Sequence, residues 1–517
     1  MSTVMTIAAH IDLNDDGDYG DAYENVSDRL IEAEWELGLD NAFDIVGRDG
    51  TARLVVDNED RRFSPEYASS PIYPNLTVDR PVRIQTTKDG TTRTMQVGWL
   101  AAVNPAPVRG GPMTTELMCD GWMGRAANVL PLTTRLMTDV TTDAALLQII
   151  QSGALYPPGF ANAWRLGYGR LGHTTRLSSV SAYFNYEAGR ATLGIVGDWG
   201  NEMSLLGAIR DVVGREGGGV FFTDRGGNLV FWNSAHFPMD TVSDATFSGT
   251  MQEIDYRYGE QVFNYIVVPV HTKKIGVSPE VLGNSQKALK VPAGGTAQAT
   301  IRYADPDAGV KVGGQNAIAP VGSTDFTAKT EEAAGADNTS SVTAAVTNET
   351  GSSATITFTN IAPMDLWVQS GYQVRGTKIT DYGQQEKKAT TGAKVRRQWA
   401  WPTPLDDPDR AEGLAKYRLR LMMDAQGHVS RMALEPGGSD TLLENALALT
   451  VGSRISIVEY QTAVSKDYFI IGEHGLWRAP RYYRTEWKLM PADSTKYWIL
   501  GHATYSKLGS TTRPFPL

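Results

Sequence analysis

The sequence predicts a mainly β chain with α+β segments. Two similar small β-barrels or sandwiches stand at its ends, a small α+β unit follows the first, and an immunoglobulin-like β-sandwich is inserted ahead of the second. The first observation behind this is a repeated grammar. Leu76-Thr77-Val78, then Val82 and Ile84, then Val97-Gly98, then Thr115-Glu116-Leu117 returns as Leu449-Thr450-Val451, Ile455 and Ile457, Ile471-Gly472, and Thr485-Glu486-Trp487. Upstream, Ala52 to Asp57 matches Ser430 to Glu435. The second observation is the period of two in both copies, which belongs to half-buried antiparallel strands. The third is a content of 52 glycines and 25 prolines, which suits short strands joined by turns. Two similar units in one chain let n copies imitate a ring of 2n single-unit subunits, so the repeat points to an assembly part.

Residues 1–130 form the first unit, with Trp35, Leu37, Leu54, Val56, Val82, Ile84, Val97 and Trp99 as its core. Its Arg48-Asp49-Gly50-Thr51 and Lys88-Asp89-Gly90-Thr91 segments read as hairpin turns from their Asp-Gly pairs. Residues 131–271 change to a helical period. A capped helix covers Thr141 to Ile150, and a second runs from about Asn201 to Val213 before Arg215 to Gly219 stops it. A hairpin of Val220 to Phe222 and Leu229 to Trp232 completes the α+β unit. Residues 272–383 are rich in Ala, Thr, Gly and Ser. Within them, alternating apolar positions flank Asn348-Glu349-Thr350-Gly351 as a hairpin of the inserted sandwich. Residues 384–427 hold a polar linker to Lys394, then Trp399-Ala400-Trp401-Pro402 with indoles expected in an interface. A helix opened by Asp406-Asp407-Pro408 follows. Residues 428–517 form the second unit and an extended tail from Ser506.

At 517 residues the chain exceeds one core. Its 48 basic and 58 acidic residues leave a net charge of -10, against a nucleic-acid surface, which needs clustered Lys and Arg. The one local basic cluster, Lys387, Lys388, Lys394, Arg396 and Arg397, reads as a solvated loop. The single cysteine, Cys119, excludes an internal disulfide framework and a Cys-rich zinc site, and its alternating strand makes it a core residue. Met1 to Ile11 shows no secretory signal, and no apolar stretch approaches the ~18 residues of a membrane span. The expectation is a protein made in a cytoplasm and soluble until it assembles.

Candidate chemistry is sparse. Asp12, Asn14, Asp16 and Asp18 alternate as the oxygen ligands of a calcium loop do, with Gly17 at the bend. Tyr23 holds the twelfth position and Glu24 comes one residue late, so calcium affinity is expected to be weak and an Asx-stabilised turn is the plainer reading. No other cofactor is expected. The seven histidines lack zinc-hydrolase spacing, and His474 in Glu473-His474-Gly475 reads as a strand-end residue rather than a base. No carboxylate pair stands out for glycoside hydrolysis. Tyr482, Tyr483, Tyr183 and Tyr186 are carbohydrate candidates that read better as core or subunit interface.

Several stretches carry a resemblance. Asp12 to Asp21, Glu24-Asn25-Val26-Ser27-Asp28-Arg29, Gly50 to Pro65, Arg80-Pro81-Val82-Arg83-Ile84 and Gly98-Trp99 resemble the N-terminal region of bacteriophage minor tail proteins. Thr485-Glu486-Trp487-Lys488-Leu489 and Trp498-Ile499-Leu500-Gly501 are similar to their closing barrel, and the layout resembles the tail-tip or baseplate hub. The resemblance implies two tail-tube-like β-barrels per chain and a homotrimer presenting six barrels to the hexameric tail tube, at the tip of the virion tail. It also implies neighbours: a distal tail protein and tail tube protein, a tape-measure protein inside, and tail fibre or receptor-binding proteins outside. The insert would touch the host surface. The fused peptidoglycan hydrolase of some relatives is not expected, so the chain reads as a structural virion protein and not an enzyme. The alternatives are a tail-associated cell-wall or polysaccharide-degrading enzyme, or a host-surface adhesin.

Overall fold

The computed structural model describes residues 5–107, 111–129, 137–153, 184–197, 203–260, 262–304, 313–493 and 497. The first unit contains β1 (Thr6–Ile11), β2 (Leu30–Gly38), β3 (Thr51–Asp57), β4 (Pro81–Lys88), β5 (Thr91–Ala106) and β6 (Thr114–Asp120). Period-two alternation buries Ala33, Trp35 and Leu37 on β2, and Ala52, Leu54 and Val56 on β3. Asp89 (φ 51°) and Gly90 (φ 78°) make the expected tight turn between β4 and β5, both residues in the left-handed region that matches strand twist. The Asp49-Gly50 pair does something else. Residues 39–50 loop away between β2 and β3, and the Asp49 carboxylate accepts the Gly121 N–H at 3.0 Å, just ahead of α1 (Trp122–Ala126). A side chain with a distant backbone partner overrides its local turn preference.

The α+β unit follows. β7 (Met137–Thr141) pairs with β9 (Thr192–Val196), and α2 (Thr142–Gly153) lies between them in sequence. β8 (Phe184–Tyr186) pairs with β11 (Leu229–Trp232), which pairs with β10 (Val220–Thr223). Between β9 and β10, α3 (Leu205–Arg215) is capped by Ser204, whose hydroxyl accepts the Gly207 N–H at 3.2 Å. It buries Leu205, Ala208, Ile209, Val212 and Val213, and Gly217 (φ 76°) ends it as expected. Asn201, where this helix was expected to begin, lies outside the described residues. A short α4 (His236–Met239) leads to β12 (Ala245–Ser248) and β13 (Glu253–Tyr258).

The insert rides on a ribbon. β14 (Tyr265–Asn284) and β22 (Gln373–Thr390) pair along nearly their whole lengths. Between them lie β15 (Leu289–Val291), β16 (Thr296–Arg302), β17 (Gly313–Ile318), β18 (Ala328–Lys329), β19 (Val342–Thr350), β20 (Ser353–Asn360) and β21 (Leu366–Val368). Two three-stranded sheets, β15-β21-β18 and β16-β20-β19, enclose a core containing Ile301, Phe326, Ile356, Phe358 and Leu366, distinct from the cluster that fills the rest of the chain. The hairpin turn falls at Gly351-Ser352, two residues later than expected, because Thr350 still pairs with Ser353. Residues 384–390, expected as a linker, are strand. Residues 384–390 are themselves largely exposed, while their β14 partners from Ile266 to Val270 are largely buried, so this strand carries polar residues that look like a loop in sequence. β23 (Gln398–Ala400) lies parallel to the base of β14.

α5 (Pro408–Met422) opens with Asp407 as its cap, accepting the Asp409 N–H at 2.8 Å. Asp406 instead accepts the Gly194 N–H at 3.1 Å. β24 (Gly427–Leu434), α6 (Asp440–Ala448), β25 (Arg454–Glu459), β26 (Val464–Arg478) and β27 (Tyr482–Pro491) complete the second unit. The tail from Ser506 and Trp498 to Gly501 lie outside the described residues.

The repeat is real in register. The first unit has the order β1-β4-β5-β6-β3-β2, and the second β12-β25-β26-β27-β24-β13. Leu54 pairs with Leu117 and Val56 with Thr115, as Met432 pairs with Trp487 and Leu434 with Thr485. The Asp79 N–H donates to the Leu100 carbonyl at 2.7 Å, as the Gly452 N–H does to that of Ile470 at 2.7 Å. A bulge follows both Leu100 and Ile470. Ile471-Gly472 therefore corresponds to Ala101-Ala102, and not to Val97-Gly98.

The expectation of two barrels needs correction. Among the described residues neither unit closes; both belong to one twelve-stranded sheet, joined where β2 pairs with β26. The reason is the length of β26. Its first half pairs with β25 and its second half with β2, so each unit meets the other rather than its own far edge.

Candidate assembly interface

The joint sets Leu37 opposite Glu473, Trp35 opposite Gly475 and Ala33 opposite Trp477. The Leu39 N–H donates to the Ile471 carbonyl at 2.7 Å and the Ala479 N–H to that of Ile31 at 2.9 Å. By antiparallel alternation, Glu473, Gly475 and Trp477 also turn their backbone groups toward β2. Gly475 is required here, since a Cβ would stand 2.2 Å from Cε2 of the Trp35 ring.

Under the joint, Glu473 is 1 % exposed and fully engaged. Its carboxylate accepts Arg225 Nε at 2.9 Å, Arg225 Nη2 at 2.8 Å, Trp35 Nε1 at 3.3 Å and Thr450 Oγ1 at 3.4 Å. Arg225, from the β10–β11 turn, also donates to the carbonyls of Leu447 at 2.5 Å and Leu449 at 2.8 Å. One arginine of the α+β unit thus holds the second sheet unit, and the Glu473 it binds takes the Trp35 indole N–H of the first. On the opposite face, His474 Nε2 lies 2.8 Å from Glu34, and Glu32 binds Arg53 and Arg478. Alternation puts Glu473 and His474 on opposite sides of the sheet, so they form no acid–base pair. Tyr483 is buried and stacked on Trp35, with ring centres 6.2 Å apart; Tyr482 donates to Glu435 at 2.7 Å; Tyr186 is exposed. Tyr183 lies outside the described residues. Burial pushes the Cys119 thiol up to about 12, which makes it an inert core group.

The counterparts of these joint strands lack a partner strand among the described residues. By pairing with β24, β13 stands where β2 stands on β3, and its outer edge is open. Tyr258, at the place of Leu37, is 67 % exposed. Beyond its bulge, β5 corresponds to the second half of β26; Ala101, Pro105, Ala106 and Pro107 are exposed there and Val103 half-buried. Pro105 and Pro107 occupy the places of Gly475 and Trp477, where they can offer no N–H.

In the acidic loop the structure brings Asp16 and Asp18 together with Asp21, which sequence spacing missed. Their carboxylate oxygens lie within 4.8 Å of one another, and all three are exposed. Asp12 is buried and accepts the N–H groups of Asp16 at 3.1 Å and Gly17 at 2.8 Å; Asn14 Oδ1 accepts that of Asp16 at 3.1 Å. Glu24 holds the N–H groups of Leu13 at 2.9 Å and Asp21 at 3.1 Å. Burial, outweighing those bonds, raises its pKa.

No family model matches the sequence, and no curated protein does. Solved structures that resemble the chain over nearly its whole length include tail proteins. A tail protein from Neisseria meningitidis has 9 % identity and a TM-score of 0.46, with 95 % of this chain and 97 % of that one covered. The 43 kDa tail protein of prophage MuSo2 from Shewanella oneidensis has 7 % identity and a TM-score of 0.45, covering 94 % and 98 %. Prophage tail protein gp18 from Listeria monocytogenes has 7 % identity and a TM-score of 0.39, covering 93 % and 94 %.

Proposed function

We propose that the chain is a structural subunit of a phage tail, three copies of which form a tail-tip hub with six similar sheet units. One observation carries the reading. Each chain contains a head-to-tail joint between its units, β2 on β26, and exposes the counterpart edges, β13 and β5. A heterologous contact of this kind repeats from copy to copy and closes a ring when the rotation allows. In the register of the internal joint, Tyr258 of one copy faces Val103 of the next, and Tyr256 faces Pro105. The prolines remove backbone donors, so side chains carry more of this joint than of the internal one, and the ring stays separable.

The neighbours that go with this role are the distal tail and tail tube proteins, the tape-measure protein, and fibre or receptor-binding proteins. The sandwich on its ribbon is the part we assign to host-surface contact. At the acidic loop we assign weak calcium binding to Asp16 and Asp18, joined by Asp21.

Light scattering over a concentration series tests the ring. Three copies per particle are expected, with Tyr258→Glu and Val103→Glu each shifting the particle to a single copy. A single copy for the unaltered chain at every concentration, or a trimer indifferent to both substitutions, would overturn the reading.

A further inference from the structure

Where α5, the loop after β2 and the end of β27 meet, a cavity of about 300 Å³ is lined by Leu39, Phe43, Gly218, Phe237, Met422 and Phe469 among others. Arg418 reaches it from α5. Its guanidinium lies 5.8 Å from the ring centres of Phe43 and Trp399, 5.5 Å from Trp401 and 6.0 Å from Tyr417. Among the described residues it makes no ion pair or hydrogen bond, and its Nε is buried without a partner. The other arginines of α5 differ: Arg410 donates to the Glu216 carbonyl, and Arg420 to Asp493 at 3.0 Å. A guanidinium does not lose its charge in proteins, and a buried charge without a counter-ion is costly.

We propose that this cavity is a binding site for a single carboxylate carried on an apolar body, with Arg418 as its anchor. The planar fork of Arg418 suits a carboxylate bidentately, and the aromatic and aliphatic walls suit hydrocarbon. Of the other charges lining the cavity, Arg420 is engaged by Asp493, Asp44 and Asp424 are acidic, and burial lowers the pKa of His428, so Arg418 is the cation left for a ligand. The volume lies at the small end of ligand pockets, room for about one amino-acid-sized group.

Calorimetric titration of the full chain with N-acetyl-phenylalanine, and with its uncharged amide, tests the site. Saturable one-to-one binding of the acid is expected, with affinity about tenfold or more weaker for the amide and for Arg418→Met. Arg418→Lys keeps the charge but not the fork and serves if the methionine variant does not fold; its affinity should also fall. A peptide ending in phenylalanine separates the sources: tighter binding than the single residue indicates a polypeptide chain end, and equal binding a small acid. No heat up to about 10 mM acid, equal affinity for acid and amide, or unchanged affinity in a folded Arg418 variant would overturn the proposal.

Discussion

The two sheet units share strand order, the register of β3 on β6 and of β24 on β27, and the bulge of β5 and β26, yet among the described residues one edge is sealed and its twin is bare. On β26 the positions of Glu473, Gly475 and Trp477 are buried beneath β2; on β5 the corresponding Pro105 and Pro107 are exposed and Val103 is half-buried. A duplicated fold can thus diverge at its edges while its interior pattern is kept, because the interior answers to packing within the unit and the edge answers to its partner. The sealed edge acquired a buried ion pair and a glycine that admits an indole. The bare edge carries prolines, a common guard against unwanted strand pairing.

The contrast makes paired substitutions informative. The largest effect is expected at Glu473→Ala, which leaves Arg225 without its carboxylate inside the joint and should lower unfolding free energy by about 3–5 kcal/mol. Val103→Ala, its counterpart, should cost less than about 1 kcal/mol in the same urea titration. Similar losses at the two positions would mean the edges are not different in kind. Gly475→Ala comes next, at about 1–3 kcal/mol from collision with Trp35. Pro105→Ala should stay within about 0.5 kcal/mol by the same measurement.

Acid should weaken the joint more gently. Burial raises the Glu32 carboxyl, but hydrogen bonds from Arg478 and Arg53 outweigh it and hold it below its ordinary value. Because the folded pKa is depressed, this stabilisation is present above the unfolded pKa and fades as pH falls through the folded one. Glu32→Gln should therefore cost about 1 kcal/mol at pH 7 and almost nothing near pH 3, read from urea midpoints at both. An equal loss at both pH values would show packing, not charge, at this position. The smallest effect concerns the acidic loop, which follows β1 and has no counterpart in the second unit. About 1 mM calcium should raise the Tm by about 1 °C, and Asp16→Asn with Asp18→Asn should remove the rise. A rise that survives both changes would place the ion elsewhere.

The strands, the cap at Asp407, the Asp89-Gly90 turn and the duplication were legible because each rests on a local pattern. A period of two buries one face, a left-handed turn selects Asp-Gly, and a short polar side chain satisfies a helix's first N–H groups. The polar stretch at 384–390 misled because an exposed strand, paired to a buried one, needs no apolar face. The Asp49-Gly50 pair misled because the Asp49 carboxylate found a partner at Gly121.

By itself, the sequence determined that the chain is mainly β, that it is built twice over, and that a separate sandwich is inserted between its other units. Only the tertiary structure decided that the copies share one sheet, that the second unit's Glu473 takes both Arg225 and the first unit's Trp35, that the second copy begins before the insert, and that among the described residues one pair of edges is left open. Local periodicity reports which face of a strand is buried. Which edge meets which depends on backbone groups that every residue carries alike, and on contacts between side chains hundreds of positions apart.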